Sequence, residues 1–201
     1  MASIIRIHTP LVLASGSAIR QQMLKAVGLT FRTMPSGFDE TALKATIATL
    51  PIADQAVALA RGKALSVSAQ AEDAITIGAD QICSVDGEIL SKPGSYENAH
   101  ASLAKLSGKT HQQTSGLVLA RAGEVIWEYS DHAELTMRTL SPAEIKAYVA
   151  EDAPLHSCGA YKFESLGRHL FANVRGDHDV VKGLPLTALL AKLHELGVIS
   201  L

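Results

Sequence analysis

Five charged residues fall at strand ends, loops and helix positions where packing alone does not ask for them: Arg20, Glu40, Lys63, Asp80 and Lys92. Two carboxylates and three cations from five separate segments are what metal-assisted hydrolysis of a phosphoanhydride requires. Mg²⁺ is commonly held by one or two carboxylates together with phosphate oxygens, while lysine and arginine neutralise the remaining charge. Asp80 is the most pointed of the five. It follows an apolar run, and unpaired charges are rarely buried. An exposed sheet edge would account for it equally well, and spacing does not show that the five converge.

The elements that must position these residues can be read in order. Leu11-Val12-Leu13-Ala14 reads as a short buried strand, followed by Ser15-Gly16-Ser17 and a helix over 18–27 that closes on Gly28. Ser17 is placed to cap that helix, and strand, small polar loop and helix together aim backbone N–H groups at an anion. Arg20 lies one turn in. A second strand is expected over 30–34, then a turn-rich loop, Pro35–Glu40, carrying Asp39 and Glu40. A long helix over 51–69 follows, with Lys63 inside or beside its apolar stripe, where it either snorkels to water or enters a polar pocket. Gly62 beside it hints at close approach by another element.

The central stretch, ITIGADQICSVDGEILSKP over 75–93, reads as an apolar run delivering Asp80, a strand over 81–85, a tight Asp86-Gly87 turn and a returning strand over 88–91 that stops at Lys92-Pro93. Further on, a helix runs from Ser95 to Leu106, and strands cover 116–121, 124–129 and 133–138, with a second hairpin at Ala122-Gly123. Ser141-Pro142-Ala143-Glu144 is a full helix start. A strand over 169–174 and a helix over 184–196 close the chain. Early alternation of strands and helices, with antiparallel hairpins in the middle, predicts a mixed sheet in an α/β protein.

Composition narrows the class. The chain has 201 residues and a net charge of −2, so it fits one domain, 1–201, or two packed lobes, and shows no basic excess for a nucleic-acid polymer. Any polyanionic ligand must be met by a local cluster of Lys and Arg. Cys83 and Cys158 do not make a disulfide framework and read as reduced thiols. MASIIRIHTP has no long apolar core and no stretch approaches a membrane span, so a soluble, cytoplasmic protein is expected.

Seven motifs, in order from Leu11 to Leu186, carry a resemblance that spans the chain from about Leu11 to Leu196. They are Leu11-Val12-Leu13-Ala14-Ser15-Gly16-Ser17, Asp39-Glu40, Gly78-Ala79-Asp80, Lys92-Pro93, Ser107-Gly108-Lys109-Thr110-His111, Gly159-Ala160-Tyr161 and Gly183-Leu184-Pro185-Leu186. Together they resemble the Maf family of nucleoside triphosphate pyrophosphatases, also described as septum-formation inhibitors. The resemblance implies a two-lobed fold like that of inosine triphosphate pyrophosphatase, around a long mixed sheet, with the active cleft between intimately packed lobes. It implies hydrolysis of a nucleoside triphosphate to the monophosphate and pyrophosphate with a divalent cation, Mg²⁺ or Mn²⁺, and a homodimer as a common assembly. Position by position, Asp80 matches the family's water-activating acid, Glu40 an acid near the metal, and Arg20, Lys63 and Lys92 the phosphate clamp. Ser15 and Ser17 line the loop ahead of the helix N-terminus, and Asp80 joins Glu40 at the metal.

Three departures bear on the base. Most members read Ser-x-Ser-Pro-Arg-Arg after the first strand, whereas here the run is Ser15-Gly16-Ser17-Ala18-Ile19-Arg20. Gln81 stands where pyrimidine-handling members tend to have Thr, and Glu164 where they carry Gln. Ile19, Gln81 and Glu164 together resemble the subgroup that hydrolyses 7-methyl-GTP, although that subgroup often has Trp in place of Ile19. N7-methylation makes the guanine ring cationic, and a carboxylate accepts from its N1–H and amine while opposing that charge, as an amide would not. The rival within the family is a dTTP/UTP pyrophosphatase; the rival of another class is a non-catalytic nucleotide-binding regulator of septum formation. His156 with Cys158, Asp177-His178-Asp179, Trp127 with Tyr129, Lys162 and Arg168 are not assigned to the site.

Overall fold

The computed structural model describes residues 4–201; the first three residues of the N-terminal stretch lie outside them. In chain order the elements are β1 (Arg6–Ile7), β2 (Leu11–Leu13), α1 (Ala18–Ala26), β3 (Arg32–Thr33), α2 (Glu40–Ile47), α3 (Ile52–Ser68), β4 (Ile75–Val85), β5 (Glu88–Leu90) and α4 (Tyr96–Leu106). They continue as β6 (Thr110–Arg121), β7 (Glu124–Met137), α5 (Pro142–Asp152), β8 (Phe171–Arg175), α6 (His178–Val181), α7 (Leu186–Glu195) and β9 (Ile199–Ser200). The main sheet is mixed, in the order β3-β2-β4-β6-β7-β8 with β5 on β4, so the α/β reading holds. Among the described residues no helix is long and apolar enough to cross a membrane.

The chain divides into two compact units: Met1–Asp80, Ser115–Asp131 and Gly183–Leu201 form one, and Gln81–Thr114 with His132–Lys182 the other. In the first, β2 is fully buried and pairs in parallel with β3 and with β4, Leu11 opposite Ile75 and Leu13 opposite Ile77. Leu11, Leu13, Leu24, Ile77, Leu117, Leu184, Leu189 and Leu193 form the core on one face of these strands. On the other face lies α3, whose Ala60 and Ala64 pack against Val118 and Ala120.

Two glycines set how closely α3 lies. A Cβ built on Gly78 would stand 2.3 Å from the Ala60 carbonyl oxygen, and one on Gly116 would stand 2.3 Å from the Ala56 carbonyl. Neither obstacle is a side chain that can turn aside, so both positions require hydrogen in place of a methyl group. Gly62 is a third close approach, here to the Phe38 ring, as its place in the helix suggested.

In the second unit, β4 turns back through Asp86 (φ 51°) and Gly87 (φ 81°), the left-handed pair of a tight hairpin, and β5 returns with Cys83 opposite Leu90. α4 and α5 pack on a core of Leu103, Leu106, Leu135, Met137, Val149 and Phe163. α5 begins with the expected capping box, Ser141 accepting from the Glu144 N–H and the Glu144 carboxylate accepting from Ser141. His111 is buried in this unit, and desolvation lowers its pKa from 6.5 to about 4. Between those values the unfolded chain takes up a proton that the folded chain refuses, so this part of the stability is whole above pH 6.5 and falls as pH drops towards 4. The expected loss is about 2 kcal/mol by pH 5. Urea midpoints at pH 7 and pH 5 check it: His111→Gln should lose less on acidification than the parent protein.

Four expectations change. The run over 75–77 and the strand over 81–85 are one strand, because Gly78 serves a close approach and does not break pairing. The strand pieces over 116–138 are likewise two long strands, β6 and β7. The loop ending at Glu40 leads into α2, whose N-cap is Asp39, its Oδ1 accepting from the Thr41 and Ala42 N–H groups. The strand placed over 169–174 starts only at Phe171, after a 3₁₀ turn over Leu166–Leu170.

Candidate active site

β-strand alternation sends Thr76, Gly78 and Asp80 of β4 towards α3. Because Gly78 lets the helix come close, Lys63 reaches the carboxylate: its Nζ lies 2.5 Å from Asp80 Oδ1, and the two residues are 8% and 9% exposed. Asp80 is therefore not on a sheet edge, and Lys63 enters a polar site instead of snorkelling out. The same Nζ lies 2.8 Å from Glu40 Oε1, so one ammonium draws together two carboxylates from different elements.

Glu40 stands in the first turn of α2, where a carboxylate is favoured by the helix dipole. Its other oxygen accepts from Lys44 at 3.0 Å, one turn on. Partial burial opposes ionisation, but the hydrogen bonds and charges of Lys63 and Lys44 outweigh it and lower the Glu40 pKa from 4.5 to about 2. The folded value lies below the unfolded one, so Glu40 stabilises the fold above pH 4.5 and that contribution is lost as pH falls towards 2. This window lies below most of the His111 one. Glu40→Gln should leave the pH 7-to-5 change in urea midpoint intact and flatten the further loss between pH 4.5 and 3.

Arg20 is buried beneath the loop that precedes α1. Its Nε donates to the Gly183 carbonyl at 2.8 Å, and Nη1 donates to the Ala79 carbonyl at 2.8 Å and to Ser15 Oγ at 3.2 Å. In this geometry Arg20 is a strut. It ties the end of β2, the backbone just before Asp80 and the turn before α7 to one planar cation. Ser17 occupies the N-cap position but its side chain makes no capping bond; its N–H donates to Ser15 Oγ at 3.2 Å. Ile19 packs against the Leu11–Leu13 core.

In the second unit, Gln81 follows Asp80 but points to the opposite face of the strand. Its Nε2 donates to the Val180 carbonyl at 3.0 Å and the Val181 carbonyl at 2.8 Å. Both amide hydrogens are thereby committed, and Gln81 faces any ligand only as an acceptor, through Oε1. Lys92 and Glu164 are exposed, the first after β5 and the second in the turn that follows Phe163.

The first unit thus brings Ser15, Arg20, Lys63, Asp80 and Glu40 into one connected group; Gln81, Lys92 and Glu164 belong to the second unit. The sequence singles out Gly78 and Gly183 only within motifs and gives no role to Lys44. A helical Glu40-x-x-x-Lys44 pair is legible once Asp39 is recognised as a cap, whereas the Arg20–Gly183 contact, 163 residues apart, has no local signal. Among the described residues no three His, Cys, Asp or Glu form a metal-ligating cluster. Asp177 caps α6, Lys162 pairs with Asp152, Arg168 lies over Phe163, and Trp127 stacks on Tyr129 against the core. Burial raises the Cys83 thiol pKa well above its usual value, in keeping with a reduced, unreactive thiol.

The chain is 38% identical over 192 residues to the nucleoside triphosphate pyrophosphatase of Legionella pneumophila, covering 96% of each chain. It is 42% identical over 194 residues to the protein of that name from Nitrobacter winogradskyi, covering 96% of each. It is 39% identical over 194 residues to the 7-methyl-GTP pyrophosphatase of Rhizobium etli, covering 94% of this chain and 98% of that one. Among solved structures, the Ham1 protein of Staphylococcus aureus aligns with a TM-score of 0.39 and 15% identity over 65% of this chain and 72% of that one. The profile of the Maf-like proteins matches residues 10–196, and with that span the chain belongs to the Maf family.

Proposed function

We propose that this chain is a nucleoside triphosphate pyrophosphatase acting on 7-methyl-GTP. The observation that carries the reading is the Lys63 ammonium held between the buried Asp80 and the half-buried Glu40, a cation between two carboxylates with no packing purpose. Full-length relatives named for this hydrolysis support the chemistry.

In the proposed reaction a water attacks the α-phosphorus. Lys63 holds Asp80 Oδ1, and the other carboxylate oxygen accepts the water's proton. The bond from the α-phosphorus to the α–β bridging oxygen breaks, its electron pair leaves with pyrophosphate, and the nucleoside monophosphate remains. Lys63 and Lys92 offset charge on the phosphate oxygens, and Arg20 holds Ser15 and the β4 backbone while adding its own positive charge. The Ser15–Ser17 loop brings the first amides of α1 to the same anion.

The donor set fits a divalent cation. Lys63 draws Glu40 and Asp80 together, these two carboxylates would hold the cation, and Mg²⁺ or Mn²⁺ asks for one or two carboxylates with phosphate oxygens and water completing the shell. When bound, such a cation would act as a Lewis acid towards the phosphates.

For the base, Glu164 and the acceptor-only Gln81 favour a donor-rich cationic edge over a pyrimidine. Pyrophosphate release across 7-methyl-GTP, GTP, dTTP, UTP and CTP, with Mg²⁺ or Mn²⁺, tests the proposal. Preference for 7-methyl-GTP supports it in full. Preference for dTTP or UTP keeps the hydrolysis and overturns the base reading, and no turnover on any of the five brings the nucleotide-binding regulator forward.

A further inference from the structure

The segment over 158–164 is held in an unfavourable backbone shape. Gly159 (φ 78°) and Ala160 (φ 59°) are consecutive left-handed residues, and alanine adopts that region only where its surroundings insist. Three anchors surround them. Cys158 Sγ contacts the Gln81 carbonyl at 3.5 Å, the Lys162 N–H donates to Tyr148 Oη at 2.9 Å, and Tyr161 is buried with its hydroxyl between two side chains of β6. His111 Nε2 and Gln113 Nε2 each lie 2.8 Å from Tyr161 Oη.

The chemistry of the partners fixes which atom donates. Gln113 Nε2 also lies 3.2 Å from the Cys158 carbonyl, which only accepts, so this atom is the amide nitrogen and gives one hydrogen to Cys158 and the other to Tyr161. The single hydroxyl hydrogen of Tyr161 then goes to His111 Nε2, and the imidazole carries its proton on Nδ1. Desolvation, which lowers the His111 pKa to about 4, keeps that ring neutral at neutral pH. The result is a relay, Gln113 to Tyr161 to His111, in which the His111 Nδ1 is buried with no hydrogen-bond partner of its own among the described residues.

What this relay positions lies three residues further on. Tyr161 and Phe163 are 3% exposed, Ser165 N–H closes a turn on the Lys162 carbonyl at 3.2 Å, and Gly167 leaves room for that carbonyl. Glu164 is the exposed residue at the tip of this pinned turn. The same anchors reach the Gln81 backbone through Cys158. We infer that Gln113, Tyr161 and His111 are positioning residues that fix Glu164 and Gln81 for the base, and so set nucleotide selectivity without touching the nucleotide. This inference rests on the proposed role of Glu164.

The test compares Tyr161→Phe, His111→Leu, His111→Gln and Glu164→Gln by the ratio of kcat/KM for 7-methyl-GTP over dTTP, with hydrogen exchange of the amides over 158–164. Tyr161→Phe and His111→Leu should cut the ratio at least fivefold through KM, with kcat within twofold, and speed exchange over 158–164. His111→Gln, which keeps an acceptor near the Nε2 position, should retain most of the ratio. A merely structural role would lower the melting temperature of all three relay variants without splitting KM from kcat. If Glu164→Gln changes the ratio but Tyr161→Phe leaves it unchanged, the relay inference is overturned. If neither changes it, the base reading falls and the inference falls with it.

Discussion

Asp80→Asn is expected to reduce pyrophosphate release by about 10²- to 10⁴-fold, the range for losing a positioned general base. The replacement keeps the size and shape of the side chain while removing its capacity to take a proton from water, together with the negative charge it presents to Lys63. Lys63 is not stranded by the change, because Glu40 Oε1 remains 2.8 Å from its Nζ. An ammonium buried with no counter-charge would cost several kcal/mol, and here that cost is avoided. Circular dichroism and the melting temperature should therefore stay close to the parent's, and KM should move far less than kcat. Retention of more than a tenth of the parent kcat would remove Asp80 from the role of base. Glu40→Gln provides the contrast: without a base role, its loss of rate should be partly recovered by raising the Mg²⁺ or Mn²⁺ concentration, and that of Asp80→Asn should not.

The second large effect is expected at a residue with no chemistry. In Gly78→Ala the new methyl group would meet the Ala60 carbonyl oxygen at 2.3 Å, Ala64 Cβ at 2.7 Å and Ala64 N at 2.8 Å. Two of these are backbone atoms of α3, so the helix itself must retreat. Overpacking of this kind costs about 1–3 kcal/mol, which in a chain of this size lowers the melting temperature by about 2–12 °C. The functional loss should exceed what stability alone predicts. Retreat of α3 carries Lys63 away from Asp80, and misplacement by about 1 Å can cost about 10²-fold in rate. Gly37→Ala is the control, since nothing lies within 4 Å of a Cβ there. A folded Gly78→Ala protein with parent activity at 20 °C would show that the closeness of α3 is not what aligns the pair.

How much of this was legible varies with the range of the signal. α5 and the Asp86-Gly87 turn are announced by residues three or fewer apart, and both form as read. α3 is announced by its period, and the sequence correctly leaves open where Lys63 points, because a stripe-edge lysine is settled by what faces it. α2 was hidden because Pro35-Ser36-Gly37 reads as loop and masks the cap at Asp39. Gly78 reads from sequence as a break between two strands, since a glycine in a strand signals either a break or a close neighbour and only the neighbour distinguishes them. The resemblance assigns Arg20 to the phosphate clamp, and its contact with the Gly183 carbonyl is one that no local rule connects to it. The resemblance supplies candidate roles for Ser15, Arg20, Lys63, Asp80 and Glu40, and the geometry of the first unit gathers these five.

The stripe of bare backbone where α3 meets β4 and β6 has a consequence for experiments that score every substitution for activity. Positions 78 and 116 should come out as blank as position 80, tolerating no replacement, although neither offers a functional group to any nucleotide. Position 92, whose lysine stands exposed, should tolerate arginine and register as a graded loss. Ranking residues by intolerance would therefore place two glycines above the lysine proposed to meet the phosphates, and the most sensitive map of this enzyme would trace the seam that aligns its chemistry before it traced the chemistry itself.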